Sequence, residues 1–220
     1  MAGPRLVLDA SVREFEGLDA IPFLMEGVHV LPERADLEAF KAEVIERVRR
    51  AYTLEAVKDV PELRAYRDFF WRVGIDPTKI RPAAEALIRR ILGGKPLPRI
   101  NTLVDAYNLA SIETRVALAA FDAASLHGDI VMRMARPGEE FLGIGMERPV
   151  VLTGKEVVDQ DEAGLVAIYP YRDSARTAVT TATRATVFLV CGVPGIPRET
   201  LMRAQAVTRE LVLRFCGAGP

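Results

Sequence analysis

Residues 101–118 read NTLVDAYNLASIETRVAL, and this stretch decides the fold because its apolar side chains point in almost every direction around a helix. A helix that is apolar on nearly all sides is buried. Asn101 or Thr102 is a suitable N-cap, so we predict a helix that begins there and runs to about Leu118. The segment therefore predicts a helix enclosed by the rest of the chain.

Three polar side chains interrupt the apolar surface of this helix. Asn101, Asp105 and Asn108 follow one another at i, i+4 and i+7, which places them on a single stripe. A buried polar group costs about 1–3 kcal/mol unless it is hydrogen-bonded. The stripe therefore has two explanations: it braces neighbouring backbone, or it lines a pocket and binds a polar ligand.

Upstream, the pattern predicts three amphipathic helices. The first begins at Asp36, the second runs from near Pro61 to near Gly74, and the third runs from Pro82 to Gly93. The arginines in and near these helices have two interpretations: they lie on solvated helix faces, or they form a surface that binds anions or an RNA backbone. They are Arg64, Arg67, Arg72, Arg81, Arg89, Arg90 and Arg99.

The rest of the chain has the pattern of β-structure closed by one helix. Short apolar runs alternate with turn residues between Ile130 and Cys191, and residues 197–215 form an amphipathic helix. Residues 5–10 and 26–31 predict two early strands, and the threonine-rich residues 176–186 favour an edge region of a sheet. We therefore expect one α+β domain over residues 1–220, with a mixed or antiparallel sheet packed with helices.

Composition excludes several classes of function. The 220 residues carry 29 Lys and Arg against 30 Asp and Glu, so bulk charge does not favour nucleic acid, and no DNA partner is expected. Two histidines and two cysteines lie in no metal-binding spacing, and no nucleotide-binding glycine motif occurs, so we expect neither a metal nor a cofactor. The sequence shows no signal peptide and no apolar run long enough to span a membrane, which predicts a cytoplasmic protein.

Several short blocks, taken in order, resemble one family. They are residues 73–82 (VGIDPTKIRP), 97–108 (LPRINTLVDAYN), 126–130 (LHGDI), 155–161 (KEVVDQD), 172–173 (RD) and 176–180 (RTAVT). Together they resemble the B3/B4 editing domain of the phenylalanyl-tRNA synthetase beta subunit, and more closely the stand-alone proteins built from that domain. The resemblance is strongest over residues 60–190.

The resemblance implies a pocket for an amino acid and the terminal adenosine of a tRNA. The family's domain hydrolyses wrongly attached tyrosine with positioned polar groups and water, without a metal. Asn108 matches the family's pocket asparagine, and Asp105 matches the aspartate three residues earlier. Ala119 stands where bacterial synthetases have a pocket histidine, and Val190 aligns with a glutamate that recognises the tyrosine hydroxyl. Selective recognition of tyrosine is therefore not expected.

Three hypotheses for the function follow. The first is an enzyme, an aminoacyl-tRNA deacylase that acts in trans. The second is a non-catalytic module that binds an amino acid, a nucleotide or an RNA end in the same pocket, and the third is an interaction protein with a vestigial pocket. The expected substrate-binding residues are Asn108, Asp105, Asn101, Thr177 and Thr180, and the residues expected to contact RNA phosphates are Arg172 and Arg176.

Replacement of Asn108 by alanine separates the two explanations of the polar stripe. If Asn108 lines a pocket, Asn108→Ala leaves the melting temperature nearly unchanged and weakens binding of aminoacyl-tRNA at least tenfold, about 1.4 kcal/mol. If Asn108 braces the fold, the variant loses about 1–3 kcal/mol of stability instead. We expect the first outcome, and a thermal melt paired with a tRNA-binding titration checks it. A large melting shift with unchanged affinity per folded molecule would contradict it.

Overall fold

A computed structural model describes residues 3–217 of the chain. Over these residues the helices are α1 (Ala35–Ala51), α2 (Pro61–Arg72), α3 (Ala83–Leu92), α4 (Thr102–Thr114) and α5 (Arg198–Cys216). The strands are β1 (Leu6–Leu8), β2 (Ala20–Glu26), β3 (Ala117–Asp122), β4 (Ile130–Met134), β5 (Glu140–Phe141), β6 (Val150–Val151), β7 (Val157–Asp161), β8 (Gly164–Ile168), β9 (Arg172–Asp173) and β10 (Ala185–Cys191).

The strands form two main sheets and confirm the α+β prediction. One sheet has the order β2-β10-β3 and is antiparallel throughout. The other has the order β1-β4-β7-β8-β9 and is mixed, because β1 runs parallel to β4 while the remaining neighbours are antiparallel. The short strands β5 and β6 pair separately. No helix within residues 3–217 has the length and apolar character needed to cross a membrane.

Strand β10 is the centre of the three-stranded sheet. Its residues from Thr186 to Cys191 are buried, as expected for a strand paired on both edges and covered on its faces. Phe188 lies opposite Phe23 of β2 and Ala120 of β3, and the two phenylalanine rings stack with centroids 5.1 Å apart. Helices α4 and α5 contact each other closely, and α5 also packs on β2.

The buried central helix is confirmed, but it ends at Thr114 and not near Leu118. Arg115 has a φ of 62°, the left-handed conformation that commonly terminates a helix. The Ser111 hydroxyl donates to the Val116 carbonyl at 2.7 Å, which fixes the turn. Residues 117–118 therefore begin β3, where Ala117 pairs with Cys191. Local apolar pattern could not separate the end of a buried helix from the start of a buried strand.

Two predicted strands are wrong. The first early strand is present as β1, but the second is β2 at residues 20–26 and not 26–31, because Gly27 adopts a φ of 70° and ends the extended run before Val28. The threonine-rich segment before β10 is a series of turns and not an edge strand. Its hydroxyls serve those turns: the Thr183 hydroxyl accepts from the Thr180 amide at 3.0 Å and donates to Asp122 at 2.7 Å.

A buried ion pair joins α1 to α4. The Lys41 ammonium lies 3.0 Å from the Asp105 carboxylate and 2.7 Å from the Glu38 carboxylate, and Lys41 is only 5% exposed. The Asp105 carboxylate also accepts from the Ile100 amide at 3.2 Å. Asp105 is thus held by contacts within the fold.

Removal of the Asp105 carboxylate is expected to destabilise the protein. Asp105→Ala leaves the Lys41 ammonium buried with Glu38 as its remaining anion, so we expect a loss of about 2–4 kcal/mol in the free energy of unfolding. The matched control is Glu113→Ala, which breaks a second α1–α4 ion pair, to Arg47 at 2.6 Å, on a more exposed surface. We expect Glu113→Ala to lower the free energy of unfolding by less than about 1 kcal/mol. Urea unfolding of both variants measures the difference, and equal losses would refute the structural role of Asp105.

Candidate functional site

A cavity of about 190 Å³ lies where α4 and β3 meet the segment that joins β8 to β9. Helix α4 contributes Tyr107 and Asn108, and β3 contributes Leu118 and Ala119. The opposite wall is formed by β7, β8 and β9 with the turn between the last two. The wall therefore combines an apolar floor with a few polar groups, the usual composition of a ligand site.

Asn108 is the member of the polar stripe that reaches the cavity. Its side-chain amide makes no hydrogen bond to any residue that the structure describes, so its donors and acceptor are available to a ligand. Asn101 and Asp105 do not line the cavity. The Asn101 side chain caps α4 and accepts from the Leu103 and Val104 amides, at 3.1 and 2.9 Å. Asn101 and Asp105 therefore brace the fold, as the first explanation states, and Asn108 lies at a cavity, as the second requires.

Among the other predicted site residues, Arg172 alone lines the cavity. One of its terminal nitrogens donates to the Ile144 carbonyl at 2.9 Å, while its buried Nε has no partner among the described residues. Arg176 lies elsewhere, bonded to Asp161 and to the Ser125 carbonyl, both at 2.7 Å. Neither Thr177 nor Thr180 lines the cavity: Thr177 is fully buried, and the Thr180 hydroxyl accepts from the Ala182 amide at 3.2 Å.

The alignment of Val190 with a hydroxyl-reading glutamate does not describe this cavity. Val190 is buried within β10 and is not among the lining residues, whereas its neighbour Cys191 is. Ala119 does line the cavity, where the family resemblance expects a histidine. The carboxyl groups that line the cavity come instead from Asp159 and Asp173.

Asp159 and Asp173 are the site residues that the sequence analysis missed. Asp159 of β7 pairs with Ala167 of β8, and Ala167 pairs with Asp173 of β9, so the three side chains form a row on one face of the sheet. A signal was present, because Asp159 follows two apolar residues in a strand whose residues are mostly buried. Its meaning depends on the pairing of β7, β8 and β9, which the sequence pattern does not give.

The two carboxyl groups differ in their partners. Asp159 is 0% exposed, and neither of its oxygens has a hydrogen-bond partner in the described part of the chain. Burial and the neighbouring Asp173 raise the pKa of Asp159 well above its usual range. Asp173 is half-buried and accepts from the Ala120 amide at 3.3 Å. Burial raises the pKa of Asp173 to about 7, although the Ala120 amide and the Arg172 guanidinium act in the opposite direction.

Two further titratable groups of the cavity, Cys191 and Tyr107, have raised pKa values. Burial, with Asp159 and Asp173 nearby, raises the pKa of the Cys191 thiol, so Cys191 carries no thiolate nucleophile at neutral pH. Burial also raises the pKa of Tyr107, whose ring lies edge-on to Phe188 at 6.1 Å. Over residues 3–217 no cluster of His, Cys, Asp and Glu has the arrangement of a metal site.

The fold and this cavity define an α+β domain with a small cavity lined by both apolar and polar side chains. Residues 65–215 match the model of the B3/4 domain, and the chain belongs to that family. The predicted relationship to phenylalanyl-tRNA synthetase beta subunits is thus confirmed.

Relatives of known identity agree with this assignment. The chain is 40% identical over 83 residues to the phenylalanine–tRNA ligase beta subunit of Psychrobacter arcticus. This alignment covers 38% of this chain and 10% of that protein. It is 28% identical over 189 residues to the corresponding subunit of Chromobacterium violaceum, in an alignment that covers 78% of this chain and 23% of that protein. The chain thus spans less than a quarter of the length of these relatives.

A solved structure has the same fold. An N-terminal fragment of the phenylalanyl-tRNA synthetase beta subunit from Pyrococcus horikoshii superposes with a TM-score of 0.53. The match covers 98% of this chain and 50% of the fragment, at 14% sequence identity. This likeness establishes the fold.

The pH dependence of stability is expected to report the Asp173 carboxyl. A carboxyl whose pKa is higher in the folded than in the unfolded protein binds its proton more tightly in the folded state, so its contribution to stability is lost as pH rises. Between pH 4 and about 7, Asp173 should lower the free energy of unfolding of the wild type by roughly 2–4 kcal/mol.

Asp173→Asn is the matching variant, because the asparagine oxygen can still accept from the Ala120 amide. We expect the stability of Asp173→Asn to fall less than that of the wild type over this pH range. Urea unfolding at several pH values from 4.5 to 7.5, about the range of the expected titration, measures both curves. Parallel curves would show that Asp173 titrates normally.

Proposed function

We propose that this chain is a tRNA-binding, editing-type domain that holds the aminoacylated 3′ end of a tRNA in the cavity and hydrolyses the ester bond in trans. The observation that carries the proposal is the unbonded amide of Asn108 at the cavity wall. The same residue matches the pocket asparagine in the family resemblance. Asn108 is therefore selected both by its place at the cavity and by the family resemblance.

The chemistry assigned to the cavity is ester hydrolysis by water. Water adds to the ester carbonyl, the bond between that carbon and the ribose oxygen breaks, and the ribose oxygen takes up a proton. Asn108 offers amide donors for the carbonyl oxygen, which carries negative charge in the transition state.

Arginines near the cavity would bind the phosphates of the tRNA end. Arg172 lines the cavity, and Arg81 is exposed two residues before the lining residue Ala83. Arg81 makes no ion pair within residues 3–217. Since the whole chain has a net charge of −1, contacts of this kind would be local and few.

A second function, binding without hydrolysis, is favoured by one observation. Ala119 lines the cavity at the position where the family resemblance expects a histidine, and a methyl group can neither transfer a proton nor donate a hydrogen bond. A module of this kind would hold an aminoacyl-tRNA, an amino acid or a nucleotide and leave the ester intact.

A deacylation assay on a panel of misacylated tRNAs distinguishes the two functions. We expect the purified chain to release amino acid from at least one tRNA, with a rate that falls tenfold or more in Asn108→Ala, about 1.4 kcal/mol in transition-state binding. Glu113→Ala is the control on the same helix, outside the cavity. Binding without release would assign the non-catalytic module, and neither binding nor release would overturn the proposal.

A further inference from the structure

Asp159 breaks a rule that the other buried carboxylates of this chain obey. Asp105 is paired with Lys41 at 3.0 Å, Glu85 with Arg89 at 2.7 Å and Asp161 with Arg176 at 2.7 Å. A buried carboxyl is costly unless it is paired or hydrogen-bonded, which explains these three partners. Asp159 is as deeply buried as Glu85, yet both of its oxygens lack a partner in the described residues.

The position of Asp159 shows where its partner would come from. Asp159 lines the cavity, and Asp173 lines it two strands away on the same sheet face. At the usual spacing of strands, the Cα atoms of the two residues lie about 10 Å apart. Between them stands Ala167, whose methyl group leaves the space above the sheet open. This space is where a partner for Asp159 could enter.

We propose that the cavity binds a primary ammonium group between Asp159 and Asp173. An ammonium presents three hydrogen-bond donors and no acceptor. The cavity offers three acceptors from three different elements: the carboxyls of Asp159 on β7 and Asp173 on β9, and the amide oxygen of Asn108 on α4. The Arg172 guanidinium also lines the cavity. When an ammonium binds and both carboxyls ionise, their two negative charges balance the positive charges of Arg172 and the ligand.

Under the proposed function, on which this step rests, the ammonium is the α-amino group of an aminoacyl ester. The ester has a positive charge and no carboxylate, whereas the free amino acid carries a carboxylate that Asp159 and Asp173 repel. The site would then bind the substrate more tightly than the released product. A side-chain ammonium, as in lysine, is the other source of the same chemistry.

Small amines test the inference without tRNA. The probes are phenylalaninamide, which has an α-ammonium and no carboxylate, N-acetylphenylalaninamide, free phenylalanine and Nα-acetyllysinamide, which has only a side-chain ammonium. Calorimetric titration of the full chain is expected to detect phenylalaninamide with a Kd of millimolar or lower. Acetylation or a free carboxylate should weaken binding at least tenfold. Binding of Nα-acetyllysinamide in place of phenylalaninamide would assign the side-chain source of the ammonium.

Two variants and a control link binding to the carboxyls. Asp159→Asn and Asp173→Asn are each expected to weaken ammonium binding at least tenfold and to keep a cooperative thermal melt. Asp68→Asn, an exposed position on α2, should change nothing. Affinity of the wild type should rise between pH 5.5 and 7, about the range in which Asp173 ionises beside Asp159, Arg172 and Tyr107.

Several results would overturn the inference. These are the absence of binding by every amine, equal binding of acetylated and free phenylalaninamide, affinity unchanged in both aspartate variants, or stabilisation by Mg²⁺ or Ca²⁺ alone. Because these probes contain no tRNA, the outcome is independent of the deacylation assay. Deacylation without ammonium binding would remove this inference and leave the proposed function. Ammonium binding without any tRNA activity would remove the proposed function and leave the ammonium site.

Discussion

The enclosure of α4 is the constraint on which the rest of the structure depends. Helices α1, α3 and α5 and strand β3 all contact it, so each polar side chain on α4 needs a partner within the protein or an opening to the outside. Asn101 finds its partners in the backbone of the first turn, and Asp105 finds Lys41. Asn108 faces the cavity, and its amide has no hydrogen-bond partner within residues 3–217. One helix thus supplies a cap, an interhelical ion pair and a polar group at the cavity.

Sequence pattern was sufficient for the class of fold and for most elements. The apolar surface of α4, the proline that begins α2 and the glycines that end α3 are local signals, and the structure contains those helices. The errors at residues 26–31, 115–118 and 176–186 have one origin. In each, the side chains favour a continuing strand or helix, but the local backbone ends it. Gly27 and Arg115 do so by adopting a positive φ, and Thr183 does so through a hydroxyl that is hydrogen-bonded into a turn.

The candidate site was only partly predictable for a different reason. Asn108 could be selected because helical spacing and the family resemblance agree on it. Asp159 and Asp173 lie fourteen residues apart in the chain, and they face one cavity only through the register of β7, β8 and β9. Arg176 illustrates the opposite error: an arginine suited to phosphate is already bonded to Asp161. Sequence reveals which groups can bind, whereas the pairing of strands decides which of them remain unbonded.

The two cavity aspartates also determine what kind of selectivity the site can have. Two carboxyls in one poorly solvated space repel each other when both are ionised, so at least one keeps its proton until a cation arrives. A neutral ligand leaves that repulsion in place, and an anion adds to it. A cation removes it and gains two charge-assisted hydrogen bonds as well. In the proposed ammonium site, discrimination would therefore arise as much from the rejection of carboxylates as from attraction to the ligand, because specificity is a difference between affinities.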